Sequence, residues 1–154
     1  MDTEYASTAV PMRIWQLAGL CAVSVQQTTI VNWMILGTYF TRELLHKMKR
    51  AKSPLCLGCG EGKIENLEHL LIQCSFYSNV RETYLPKFIL QNKHISELFS
   101  DTDMTILSIL DPLSSKLPEV VTKNWQSPNE VYRISRQFCY NLHQKRDKLY
   151  RDIS

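Results

Sequence analysis

No charged residue occurs between Arg13 and Arg42. The stretch is apolar but interrupted. Gln16, Gln26, Gln27, Thr28, Thr29 and Asn32 fall inside it, and no continuous run of about 18–20 apolar residues is left. That argues against a membrane span. Ile14 to Val25, with the small residues Ala22-Val-Ser24, has the outline of a signal-peptide core. Its flank does not fit, because Asp2 and Glu4 precede it and Arg13 is the only cation in front. A buried helix in an intracellular protein, cytoplasmic or nuclear, is the expected reading. Internal repeats and low-complexity tracts are also absent. So is a strong excess of either charge: 18 basic against 15 acidic residues give +3, too little for the chain as a whole to coat nucleic acid. A hydrophobic share of 44% fits a folded globular protein, and 154 residues allow one domain or a small domain with helical extensions.

What is present is concentrated. Three of the five cysteines fall in one window, as Cys56-Leu-Gly-Cys59, then His69, then Cys74. Two cysteines separated by two residues turn both sulfurs toward one point, and a later His and Cys close a tetrahedron around Zn2+. Four protein ligands leave no open position for water. The expected site is therefore structural, with no catalytic residue and no small-molecule substrate. Three thiolates and a neutral imidazole around a divalent ion leave one negative charge, and Lys52 and Lys63 flank the motif. Gly58 and Gly60 suit a tight turn with backbone amides aimed at sulfur. The alternatives are ordinary buried cysteines or a Cys56–Cys59 disulfide. The odd cysteine count and the lack of a thioredoxin-like context weigh against the disulfide.

The rest reads as helices. Apolar spacing predicts one helix over Thr28–Met48, with Gly37 as its weak point, and a short one over Ile64–Cys74 carrying Leu67, Leu70 and Leu71. Ser75 is the expected N-cap of a helix that buries Tyr77, Val80, Tyr84 and Leu85 and stops at Pro86. Phe88–Phe99 reads as a short helix or turn, Met104–Leu110 as a helix begun near Asp101 and Asp103, and Leu113–Gln126 as loop. Ser127-Pro-Asn-Glu130 is a capping box opening an amphipathic helix through Val131, Ile134, Phe138, Leu142 and Leu149. The expected fold is mainly α: a small helical domain with one zinc-knuckle-like hairpin and an amphipathic C-terminal helix. The expected organisation is an unassigned segment 1–25, a helix plus zinc-binding module 26–86, and a helical extension 87–154.

Cations gather on both sides of the motif. Arg42, Lys47, Lys49, Arg50 and Lys52 precede it with Glu43 as the only acid, and Arg133, Arg136, Lys145, Arg146, Lys148 and Arg151 lie near the C-terminus. Such clusters fit phosphate contacts or, more blandly, solvated helix faces, the reading favoured for the C-terminal group.

Leu36-Gly-Thr-Tyr39, Ser53-Pro-Leu-Cys-Leu-Gly-Cys-Gly60, Glu65-Asn-Leu-Glu-His-Leu-Leu-Ile-Gln-Cys74 and the following Arg81 together resemble the zinc-binding tail of non-LTR retrotransposon reverse transcriptases. The likeness runs over about residues 26–85, with Cys56, Cys59, His69 and Cys74 at the ligand positions, and loosely over the C-terminal helix. The polymerase's paired aspartates are missing, which implies a detached tail without catalysis. The resemblance implies binding to RNA or single-stranded DNA, with Lys47, Lys49, Arg50, Lys52 and Arg81 on phosphates. Phe76 or Tyr77 is the candidate base-stacking ring, with core packing the favoured reading for both. A second class of function is a protein-interaction module in which the zinc hairpin and the C-terminal helix dock on a polymerase or other partner.

Overall fold

The computed structural model describes residues 22–153. The fold is mainly helical, as the apolar spacing predicts. The described residues form six α-helices: α1 (Ala22–Ile35), α2 (Arg42–Lys47), α3 (Ser78–Gln91), α4 (Thr102–Leu110), α5 (Glu119–Thr122) and α6 (Pro128–Ile153). Short 3-10 segments at Ser75–Tyr77 and Lys93–Leu98 join them, and a π turn spans His69–Gln73. Among the described residues the only extended pairing is the antiparallel bridge between Leu55 and Ile64. Most of the signal-peptide-like stretch lies outside the described residues; its end, from Ala22, begins α1. No described helix is long and apolar enough to cross a membrane.

The helix expected over Thr28–Met48 is two helices. Gly37 takes a left-handed φ of 73°, which closes α1 with little steric cost. Thr41 then caps α2, its hydroxyl accepting from the Leu44 amide at 3.2 Å. Pro86 does not stop α3, which continues to Gln91. The bond that proline cannot make would have gone to the Glu82 carbonyl. Both residues face solvent, where water can serve that oxygen, while Phe88 beyond them is fully buried and anchors the last turn. Ser75 makes no side-chain cap; its hydroxyl donates to Glu61 instead.

Helix α6 organises the core. Ser127 Oγ accepts from the Glu130 amide at 3.4 Å, so half of the capping box is made, while the Glu130 carboxylate pairs with Arg133. Val131, Ile134, Phe138 and Leu142 form a buried stripe laid along α1 and α3. Burial of each such side chain stabilises by roughly 1.5–3 kcal/mol, far more than helix propensity supplies. Phe138 packs edge-on to Phe88 at 6.4 Å and tilted to Tyr84 at 5.9 Å. The apolar face offered in the sequence to an outside partner is thus spent inside the chain. Asp101 caps α4 through the Met104 amide at 3.1 Å, and Thr105 to Leu110 are buried on every side.

One hydrophobic core runs from Ile30 to Leu142. A boundary after residue 86 would fall inside α3, so the two expected segments share one interior.

The C-terminal cations are not one solvated face. Arg136 and Arg146 are buried. Arg146 donates to the carboxylate of Glu65, itself fully buried, through Nε at 3.2 Å and Nη2 at 2.8 Å, and to the Phe40 carbonyl at 2.7 Å. Burial alone would lower the Arg146 pKa; the Glu65 hydrogen bonds and neighbouring charges outweigh it and raise the value. Tyr150 also donates to Glu65, and the Arg42 amide does so at 2.9 Å. Removing one member of such a pair strands a buried charge. Arg146→Ala is expected to cost about 3–5 kcal/mol in urea unfolding, and Glu65→Leu/Arg146→Leu to cost less than that single change. An Arg146→Ala midpoint equal to the parent's would show that the pair carries no stability.

Candidate metal centre and the basic turn beside it

The segment between α2 and α3 builds a small hairpin. Cys56 N donates to Lys63 O at 2.7 Å and Glu65 N to Pro54 O at 3.0 Å, holding its two arms together. Gly60 and Gly62 have φ of 66° and 70° with open space around them, so backbone conformation requires glycine there. Gly58 is different. A Cβ on it would lie 3.1 Å from the Phe76 ring, so the Cys-x-x-Cys turn is pressed against that ring.

The second pair of candidate ligands comes from the helical turn. His69 and Cys74 are five residues apart. In an α-helix that spacing puts side chains about 140° apart. Here Cys74 N donates to His69 O at 2.7 Å, an i→i+5 bond. The π turn adds one residue to the circuit and returns Cys74 to the face of His69.

Cys56, Cys59, His69 and Cys74 converge, with all their ligand atoms within 4.8 Å of one another. Cys56 Sγ lies 3.7 Å from Cys74 Sγ, and Cys59 Sγ 3.5 Å from His69 Nε2. The cysteines are thiols and not disulfides. Gly58 N points at Cys56 Sγ from 3.3 Å, as a turn that stabilises thiolate should. Burial pushes the Cys74 thiol up to about 12 and raises Cys56 as well. The cluster is compatible with a bound metal ion.

Arg81 is not on a phosphate-contacting surface. It is buried, and its guanidinium donates to the Leu70 carbonyl at 3.3 Å and to the Cys74 carbonyl. The Cys74 carbonyl also accepts from the Tyr77 amide at 3.2 Å, and Arg81 adds a second donor there, fastening the backbone that carries two candidate ligands. Tyr77 is fully buried, and Phe76 is half-buried between Gly58, Tyr77 and the Lys145 ammonium at 4.6 Å. Core packing, the favoured reading for both rings, is what the structure has.

The four remaining phosphate candidates are exposed. Lys47 pairs with Glu43 at 3.3 Å. Lys49, Arg50 and Lys52 line a cleft of about 520 Å³ with His46 and Ala51 and no acid. Lys49 holds a left-handed φ of 58°, and the amides of Lys49 and Arg50 return to His46 O and Leu45 O at 3.0 and 2.8 Å. This is the chain reversal that closes α2, made with lysine where glycine would sit without strain.

The chain matches no known family model, no curated protein and no solved structure.

Two outcomes are expected. Arg81→Ala should loosen the π turn and weaken metal retention, seen as faster metal loss to a chromogenic chelator; a rate equal to the parent's would remove Arg81 from the site. Lys49→Gly should stabilise the fold by about 1 kcal/mol in urea unfolding while removing one cation from the cleft. Destabilisation by that change would contradict the strain reading.

Proposed function

We propose that the chain is a zinc-stabilised module that binds single-stranded nucleic acid, RNA or DNA, without catalysis, of the kind that ends non-LTR retrotransposon reverse transcriptases. The observation that carries the reading is the join between the metal cluster and the acid-free cationic cleft formed by the turn that leads into it.

The donor set favours zinc. Thiolate with imidazole is its preferred company, and a regular tetrahedron with Zn–S of about 2.3 Å has edges of about 3.8 Å. The distances of 3.7 Å and 3.5 Å are close to that. His69 would bind through Nε2, the atom that faces Cys59. Zinc here supplies rigidity and no reaction, because all four positions belong to protein. Between residues 53 and 74 the chain is short, and much of what holds it is the cluster itself. Metal should contribute on the order of 10 kcal/mol to its ordering.

Phosphate is the ligand class that the cleft suits. Lys49, Arg50 and Lys52 are fixed on a tight turn, with His46 beside them and Lys47 one turn away. Fixed cations displace condensed counterions from a strand, and binding of this type weakens steeply with salt.

A second reading keeps one observation of its own. Leu55, Leu57 and Ile64 are each about 40–48% exposed on the hairpin, an apolar edge that a protein partner would cover. Such docking is insensitive to salt, which separates the two readings.

The purified chain is expected to carry one zinc, and Cys59→Ser to lose it; full stoichiometry in that variant would sink the assignment. Replacing Lys47, Lys49, Arg50 and Lys52 together by Gln should leave zinc in place and weaken binding to a single-stranded oligonucleotide at low salt. For every phosphate no longer neutralised, the slope of log affinity against log salt should fall by roughly 0.7. An unchanged slope would place the binding surface elsewhere.

A further inference from the structure

Next to the basic cleft lies a second depression, of about 500 Å³, lined by Trp33, Thr38, Tyr39, Phe40, His143 and Arg146. Three of these are aromatic side chains and a fourth is an imidazole. Trp33 is 45% exposed and Phe40 49% exposed, and both line this one depression. Their position is fixed by backbone. The break between α1 and α2 folds back on itself, with the amides of Thr38 and Tyr39 both donating to the Trp33 carbonyl at 2.9 and 3.0 Å. That fold-back puts Trp33 and Phe40 on the walls of one depression. The floor is tied down by Arg146, which holds the Phe40 carbonyl and sits 5.2 Å from the Tyr39 ring, and by the Tyr39 hydroxyl 2.8 Å from His143 Nδ1.

The depression and the cleft share an edge. Arg50, which lines the cleft, lies with its guanidinium 5.7 Å from the centre of the Phe40 ring. An apolar, ring-walled hollow therefore opens directly beside fixed cations. We propose that this hollow is a base-stacking slot, taking one unpaired nucleobase of a strand whose phosphates lie on Lys49, Arg50 and Lys52. The proposal rests on the nucleic-acid reading and names the part of the site that reads the base.

Charge selects the occupant. A methylated ammonium would suit three aromatic rings alone. Here Arg50 already takes Phe40, and Arg146 takes Tyr39, so a further cation is opposed. Burial lowers the His143 pKa, against the pull of Asp147, so that side chain meets a ligand as a neutral ring. An apolar peptide would fill the hollow but leave the adjoining cations without partners. A nucleotide matches both halves, since every base has a flat π face and every linkage a negative charge. A volume of about 500 Å³ falls within the range of roughly 300–1,000 Å³ common to small-ligand pockets.

The test uses the full zinc-loaded chain, a single-stranded oligodeoxyadenylate and an abasic strand of the same length. The two strands carry the same phosphates and differ only in bases. The parent should bind the adenylate about tenfold more tightly than the abasic strand, with quenching of tryptophan fluorescence. Trp33→Ala and Phe40→Ala should each shrink that preference while leaving the abasic affinity unchanged. Trp33→Phe should keep most of the preference and lose the quenching. Both rings are about half exposed, so truncation spares the core, and zinc content with far-ultraviolet circular dichroism verifies each fold. Equal binding of the two strands, weakened by salt, overturns the slot and leaves the cationic surface standing. A base preference that persists in both alanine variants overturns it too. Failure of both strands to bind at low salt removes the slot together with the nucleic-acid function.

Discussion

The buried pair of Glu65 and Arg146 is the contact on which the arrangement of the molecule depends. The residues are separated by 81 positions and come from parts of very different character, a short metal-type hairpin and a long amphipathic helix. Glu65 reaches further than its ion pair. Its backbone amide is held by Pro54 O, its carbonyl accepts from the Glu43 amide, and its carboxylate accepts from the Arg42 amide at the start of α2. A carboxylate at a helix N-terminus is favourably placed against the helix dipole. One side chain thus fixes the hairpin, the cationic turn and α6 to each other. Taking two ions out of water is expensive, and apolar residues of the same shape would often be as stable. What the pair supplies is direction: its hydrogen bonds are satisfied in one relative placement of these parts.

That placement gives the candidate metal cluster its surroundings. Cys56 and Cys59 come from a turn pressed on Phe76, and His69 and Cys74 from a helical turn closed by Arg81. Lys145 of α6 lies over the same Phe76 ring. The long helix therefore supports the cluster from both sides, through Glu65 and through Phe76. The cationic turn inherits this rigidity, because Arg42 and Glu43 begin the helix that ends in it.

The legible parts of the sequence were those carried by local rules. The Cys-x-x-Cys spacing marked the cluster, and all four candidate ligands meet. Ser127-Pro and the apolar stripe from Val131 marked α6, and Asp101 marked α4. The misread parts were those where a distant contact overrides a local signal. Pro86 reads as a stop, yet Phe88 buried against Phe138 carries the helix past it. Arg81 reads as a surface cation, yet the carbonyls of Leu70 and Cys74 at the π turn claim it. Arg146 sits among basic neighbours and looks solvated; nothing within several residues announces Glu65 as its partner. Gly37 and Thr41 did announce the break in the first helix, and weighing them as a C-cap followed by an N-cap would have found it. Trp33 and Phe40 fell within one expected helix, which hid the fold-back that brings them to one hollow.

The π turn has a consequence for how this chain tolerates changes of length. With four residues between His69 and Cys74, the helix must carry one residue more than an ordinary turn holds. Deleting one of Leu70, Leu71, Ile72 or Gln73 would leave an i, i+4 pair, which a plain α-helix already presents on one face. Inserting one would give i, i+6, about 120° apart in an α-helix and past the reach of a single π turn. The two edits are equal in size and opposite in effect. At this point the chain is one residue long by the measure of an α-turn, and its ligand geometry can absorb a deletion but not an insertion.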